Sequence, residues 1–339
     1  MVLVDLIVFI VALGILIKAS DFFVDSAERI ANYLNISSYI IGFTLVAIGT
    51  SLPELVSSIA ASIYNSPGLV VGNIVGSNIA NIGLILGCTA IIGTITNIKK
   101  RVFYKEGFFL IGISVILLLF SLNFSIGRIE GIILLLLFIA YSFYIIQFNI
   151  FKRLYETIPL MKDFIEYRIF KKTKKQKIKE GIIKENKPIF AILKEIAIIT
   201  LSCAAMIFAV KYLIPSAKNL ALGLGISETI VGITMLAVGT SLPELMVAIS
   251  AVRKGLGDLL IGTIIGSNIS NILLVGGSSA ILSNISISQI SVIYFIPFMI
   301  LLTVSLLAFI KIKWELKRLE GVILVLLYFA FIVSLYFLK

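Results

Sequence analysis

The chain has 339 residues, of which 59% are hydrophobic and only 14% charged, with a mean hydropathy of +1.11. A soluble domain carries about a quarter charged residues, so too little polar surface exists here to cover a water-soluble globule, and the composition is that of an integral membrane protein. Histidine is absent, which excludes histidine proton relays, histidine metal sites and Ser-His or Cys-His nucleophilic catalysis.

At roughly 20 residues per span, about ten helices fill the chain. In the first half the apolar runs predict helices at 3–31, 37–63, 69–96, 107–123 and 129–149. The first is long and partly amphipathic, with Lys18, Asp21, Asp25, Glu28 and Arg29 crowding its second part. Met1 to Ile17 carries Asp5 and lacks a basic start, so it does not read as a signal peptide. The polar interval from Lys152 to Pro188 is too short to fold into an enzyme domain with a useful core. Cys88 and Cys203 sit in apolar stretches and read as small packing residues.

The second half repeats the first. Gly42-Phe-Thr-Leu-Val-Ala-Ile-Gly-Thr-Ser-Leu-Pro-Glu54 returns as Gly232-Ile-Thr-Met-Leu-Ala-Val-Gly-Thr-Ser-Leu-Pro-Glu244, an offset of 190 positions. The same offset maps the segment from Gly72 to Asn81 onto that from Gly262 to Asn271, and Arg128-Ile-Glu130-Gly131 onto Arg318-Leu-Glu320-Gly321. The expected organisation is therefore a five-helix repeat over 1–150, a basic linker over 151–189 and a second five-helix repeat over 190–339. Five is odd, so the second repeat enters the bilayer upside down: the fold class is an all-α membrane protein of ten helices in two inverted-topology repeats. Lys and Arg gather in the linker and on one set of loops, which places the linker in the cytoplasm and both termini outside. The net charge of +11 is thereby assigned to the lipid bilayer and not to nucleic acid.

A glutamate in the middle of an apolar helix is costly unless something pairs with it. Glu54 and Glu244 are such residues, each directly after a proline that removes a backbone donor, so the helix is expected to break at Gly-Thr-Ser-Leu-Pro and expose carbonyls. Thr50 shares a helix face with Glu54, Ser51 adjoins it, and Ser77 and Asn81 are spaced alike on the next helix; Thr240, Ser241, Ser267 and Asn271 repeat the set. Gly72 and Gly76 are expected to let another backbone approach. Glu130 and Glu320, beside Arg128 and Arg318, read as interfacial anchors. Carboxylates, amides, hydroxyls and carbonyls without sulfur or imidazole suit hard cations, Ca²⁺ above Mg²⁺ or transition metals.

These paired motifs resemble the alpha repeats of sodium/calcium exchangers, in the calcium:cation antiporter superfamily, and most of all its compact prokaryotic members. The resemblance implies Na⁺/Ca²⁺ antiport with no cofactor and no obligate protein partner. It implies a central Ca²⁺ site from Glu54 and Glu244 with the Thr50 and Thr240 carbonyls. Flanking Na⁺ sites would use Ala47, Ser51 and Ser77 from one half and Ala237, Ser241 and Ser267 from the other, with Asn81 and Asn271 at the middle. Many relatives carry Asp where this chain has Asn271, which weighs against K⁺ dependence and proton coupling. Ca²⁺/H⁺ or K⁺-dependent exchange remains the alternative within transport, and a Ca²⁺-selective channel the alternative outside it.

Overall fold

The computed structural model describes residues 2–34, 41–63, 65, 67–96, 98, 100, 102–157, 189–223, 239 and 241–337. Helix α1 spans Val2–Leu34. A π-helical turn, Gly42–Val46, leads into the short α2, Ala47–Thr50, and α3 follows over Leu52–Ile63. Then come α4 (Pro67–Ile92), α5 (Phe108–Ser121), strand β1 (Ser125–Ile126) and α6 (Arg128–Thr157). The second half supplies α7 (Ile189–Gly223), α8 (Leu242–Arg253), α9 (Gly257–Leu282), strand β2 (Ile285–Ser286), α10 (Ile296–Lys313) and α11 (Arg318–Phe337). Among the described residues, eight helices are long and apolar enough to cross a membrane, or nine if the bent α2–α3 pair is one span. The protein is an all-α, multi-pass membrane protein.

The break expected before Glu54 lies at Ser51, where the helices on either side meet at 44°. Ser51 has φ −81° and ψ 6°, and Ser241 has nearly the same pair, −91° and 9°. Both halves thus leave the helical region at the same residue, one position before Leu-Pro. Helix α4 ends at Ile92 and does not run on to 96: Gly93 turns extended, and Ile95 exchanges backbone hydrogen bonds of 2.9 Å with Leu316. Helix α6 continues past 149 to Thr157. The first-turn glutamates Glu130 and Glu320 cap their helices, accepting the Gly127 and Lys317 backbone N–H groups at 3.1 Å. The segment 158–188, most of the linker, lies outside the described residues, as do Ala237 and Thr240.

Contacts between the halves come in pairs that exchange under the 190-residue offset. Ile126 pairs with Ile285, and Leu316 bridges to Ile95. A methyl group added at Gly131 would lie 2.9 Å from the Gly277 carbonyl oxygen, and one at Gly321 would lie 2.7 Å from that of Gly87. Only glycine lets α6 approach α9, and α11 approach α4, so closely. Gly72 and Gly76, expected to serve this purpose, have no described residue within 4 Å of an added methyl. Helices α1 and α7 run along each other. Arg29 and Glu195 tie one end at 2.9 Å, and Asn219 and Asp5 the other at 3.0 Å; the offset converts one pair into the other.

Candidate functional site

Two carboxylates reach the interior of the helix bundle because the breaks at Ser51 and Ser241 start new helices there, with Glu54 and Glu244 in their first turns. Both are completely buried, as are Thr50, Ser51, Ser77, Asn81, Ser241, Ser267 and Asn271. The polar contacts cross from one half to the other. Ser51 Oγ donates to Glu244 Oε1 at 3.4 Å, and Ser241 Oγ donates to Glu54 Oε1, also at 3.4 Å. Thr50, Ser51 and Ser267 are hydroxyl neighbours of the Glu244 carboxylate.

The Ala47 carbonyl lies in the same cluster. It accepts the Ser51 N–H at 3.1 Å, the Thr50 hydroxyl at 3.4 Å and the Ser267 hydroxyl at 3.5 Å. Asn81 and Asn271 each open a π-helical turn, Asn81–Leu86 and Asn271–Val275. Such turns recur at functional sites because they displace backbone groups from the regular ladder. Asn81 Nδ2 donates at 3.0 Å to Oδ1 of Asn268, one turn before Asn271. Glu244 Oε2, Asn81 Oδ1 and both polar atoms of the Asn271 amide are buried with no hydrogen-bond partner among the described residues.

That pattern is expensive for a purely structural core, where nearly every buried polar atom is paired. Oxygen atoms without hydrogen donors, gathered around two carboxylates, are suited to a positive ion. No group of three or more His, Cys, Asp or Glu side chains converges among the described residues, and the carboxylates they bring to this centre are those of Glu54 and Glu244. Of the residues singled out in the sequence, the structure brings together Ala47, Thr50, Ser51 and Glu54 with Ser241, Glu244 and Ser267; Ser77, Asn81 and Asn271 are buried beside them on α4 and α9. Ala237 and Thr240 lie outside the described residues.

Sequence reasoning missed three groups. Asn268 was passed over because only its neighbour Asn271 falls at the i, i+4 spacing from Ser267. Asn73, which touches Glu54, Ser57, Ser58 and Ser77, has Thr263 at the equivalent position, so a search for shared residues discards it. The third group joins α1 to α8: Ser250 Oγ donates to Asp21 Oδ1 at 2.6 Å, and Lys254 Nζ reaches Asp25 Oδ1 at 2.6 Å and the Asp21 carbonyl at 3.1 Å. Its only signal in the sequence was the crowding of charges in the second part of α1.

The family model described as sodium/calcium exchanger protein matches residues 4–147 and 194–337. The sodium/calcium exchanger MaX1 of Methanosarcina acetivorans is 39% identical over 361 aligned residues, covering all of both chains. An uncharacterized membrane protein of Methanocaldococcus jannaschii, MJ0091, is 32% identical and covers 96% of each chain. Among solved structures, the sodium-calcium exchanger NCX_Mj soaked with 2.5 mM Na⁺ and 10 mM Sr²⁺ superposes with a TM-score of 0.78 at 29% identity, covering 98% of this chain and 99% of that one. The same exchanger soaked with 2.5 mM Na⁺ and 0.1 mM Ca²⁺ gives a TM-score of 0.78 at 30% identity.

Proposed function

The chain belongs to the sodium/calcium exchanger family, in its compact prokaryotic type, and on that premise we propose that it is a Na⁺/Ca²⁺ antiporter alternating its access to the Glu54/Glu244 cluster. The observation that carries this reading is the crossed pair of contacts, Ser51 to Glu244 and Ser241 to Glu54, around two fully buried carboxylates. Their oxygen–oxygen separations of 3.4 Å are long for hydrogen bonds between hydroxyl and carboxylate. They equal the spacing of adjacent ligands around a cation held at about 2.4 Å, within the range of Ca²⁺–oxygen distances.

Glu54 and Glu244 would hold Ca²⁺ with the Thr50 and Thr240 carbonyls. Na⁺ would use Ala47, Ser51 and Ser77 on one side and Ala237, Ser241 and Ser267 on the other, with Asn81 and Asn271 between. Two carboxylates can neutralise one Ca²⁺ or a set of Na⁺ ions of similar total charge, and not both at once. The empty cluster, carrying unpaired charge in a low dielectric, resists changing its facing. Exchange follows from that competition, and inward Na⁺ would drive Ca²⁺ out.

The layout proposed is ten spans in two inverted repeats, 1–150 and 190–339, joined by a cytoplasmic linker at 151–189 with both termini outside. Supporting it, α8 is the counterpart of α3 and carries the same Ser-Leu-Pro start, so a second broken span there would bring the eight or nine spans of the described residues to ten. The exchanged contacts fit an axis in the membrane plane: Ile126–Ile285 against Leu316–Ile95, and Gly131–Gly277 against Gly321–Gly87. With asparagine at both 81 and 271, the centre offers no third acid, which favours Na⁺ coupling over proton or K⁺ coupling.

The deciding experiment is ⁴⁵Ca²⁺ uptake into Na⁺-loaded proteoliposomes, with external Na⁺, K⁺ and pH varied one at a time and the membrane potential clamped. Uptake that needs internal Na⁺ and responds weakly to K⁺ and pH is expected. Uptake driven by a proton gradient alone, or an absolute need for K⁺, would replace this function with the corresponding alternative; flux without counter-ion would mean a channel.

A further inference from the structure

The two halves do not treat their Gly-Ser-Asn serines alike. Asn73 Nδ2, on α4, lies 3.0 Å from the Glu54 backbone carbonyl, 3.0 Å from Ser57 Oγ and 2.7 Å from Ser58 Oγ, while Ser77 Oγ lies 3.4 Å from Asn73 Oδ1. A backbone carbonyl only accepts, so the amide nitrogen must face Glu54 and the amide oxygen must face Ser77. That oxygen only accepts as well. Ser77, with one proton to give, faces this acceptor at a separation as long as that of the crossed serine–glutamate contacts, so the proton is drawn toward Asn73 and the lone pairs are left for whatever lies on the other side.

Among the described residues, the second half shows no such device. Thr263 replaces Asn73 and turns its hydroxyl onto the Leu259 carbonyl of its own helix at 2.9 Å. Val247 and Ala248 replace Ser57 and Ser58. Ser267 gives its proton to no amide; it lies 3.5 Å from both the Ala47 carbonyl and the Thr50 hydroxyl, inside the ion cluster itself.

We infer that Asn73 is a positioning residue for Na⁺: anchored on the Glu54 carbonyl, it fixes the Ser77 hydroxyl as an acceptor toward the site and so sets Na⁺ affinity on the first half's side without touching the Ca²⁺ carboxylates. The inference rests on the proposed placement of Ser77 in a Na⁺ site. Its consequence is that the two flanking Na⁺ sites are unequal although their ligands are the same residue types.

The test uses the full-length protein in proteoliposomes, reading the half-saturating Na⁺ for Na⁺-driven ⁴⁵Ca²⁺ exchange and, separately, the half-saturating Ca²⁺ for Na⁺-free Ca²⁺/Ca²⁺ exchange. Asn73→Thr, which installs the second half's residue, should raise the Na⁺ value about fivefold, the worth of one oriented hydrogen bond, with the Ca²⁺ value within twofold. Calcium self-exchange also shows that the variant has folded; if Asn73→Thr does not accumulate, Asn73→Ser is read the same way. The double variant Asn73→Thr with Ser77→Ala should match Ser77→Ala alone, because Asn73 acts through Ser77. An unchanged Na⁺ value, equal shifts for both ions, or additive effects in the double variant would overturn the inference. If Ser77→Ala leaves Na⁺ dependence intact, the placement of Ser77 falls and the inference with it; a strong Ser77→Ala effect beside a silent Asn73→Thr removes the inference alone.

Discussion

Helices α4 and α9 carry the same Gly-Ser-Asn motif in different surroundings. Every residue from Leu259 to Ser270 on α9 is buried, whereas on α4 Gly68, Leu69 and Gly72 are exposed and Asn73 and Gly76 half-exposed. Ser57 on α3 is exposed where its counterpart Val247 is buried. The ties to α1 differ in the same sense. Asp21 and Asp25 hold Ser250 and Lys254 at the end of α8, but the sequence has Lys211 and Pro215 in place of the two aspartates and Ala60 and Tyr64 in place of their partners, residue types that cannot form that set. Contacts of Gly93 with Val252 and of Gly257 with Ile95 place the end of α8 beside the end of α4, away from the turn at Asn65. Among the described residues, the ties to α1 therefore lie at one end of the site and the polar strip of α4 toward the other. The proposed ion ligands are duplicated in sequence between the halves; the fastenings around them are not, which would leave the two facings of the proposed site unequal in energy.

The comparison breaks most completely if the duplicated carboxylates are unequal. Glu54→Gln and Glu244→Gln each keep the volume and remove a unit charge from a poorly screened site, so each should lower Na⁺-dependent Ca²⁺ flux by at least about a hundredfold while the protein still accumulates. Native flux in either variant would remove that residue from the centre.

Next in size are the glycines between the halves. Gly277→Val drives atoms into the Gly131 carbonyl and should cost about 1–3 kcal/mol or more, seen as a fall of several degrees in the melting temperature of the detergent-solubilised protein. Gly72→Ala, with no described residue within 4 Å of the added methyl, should leave that temperature unchanged or slightly raised. Equal losses would mean that α4 packs on both faces.

The smallest effect expected is at the fastening. Lys254 and Asp25 are partly exposed, and such a pair is worth at most about 1 kcal/mol, so Lys254→Ala should shift the facing equilibrium by roughly two- to fivefold. A cysteine at Ser57, in a background lacking Cys88 and Cys203, reports that shift as a slower reaction with a water-soluble maleimide. An unchanged rate would show that the fastening does not bias the facing.

Much of this was legible in the residues because duplication marks itself. The offset exposed the paired glutamates, and proline before each placed the break within two residues of Ser51. Burial of Ser77, Asn81, Ser267 and Asn271 followed from polar side chains at helical spacing in apolar runs. What the offset cannot show is whatever only one half possesses, and Asn73 and the Asp25–Lys254 tie are both of that kind. Glycine misled for a different reason: Gly72 and Gly76 have the spacing of a packing motif, while the close backbone approaches among the described residues fall at Gly42, Gly87, Gly131, Gly277 and Gly321, and only the tertiary arrangement decides which face of a helix meets a backbone. The end of α4 was hidden because the apolar pattern runs on through Ile95 and Ile98, which are buried in an extended segment instead of a helix.

The bridge between Ile95 and Leu316 bears on how the chain is made. Ile95 and Ile98 give their N–H groups to the Leu316 and Trp314 carbonyls, and Leu316 returns its own to Ile95, all at 2.9 Å. These partners are synthesised only after most of the second half, so the loop after α4 would wait in a provisional state until then. Strand β1 likewise waits for β2. A nascent chain stopped before Leu316 lacks the backbone that completes its own first half, and a first half made alone could find those groups only on a second copy threaded the other way up. Maturation of the first repeat is in this sense the last event in the birth of the second.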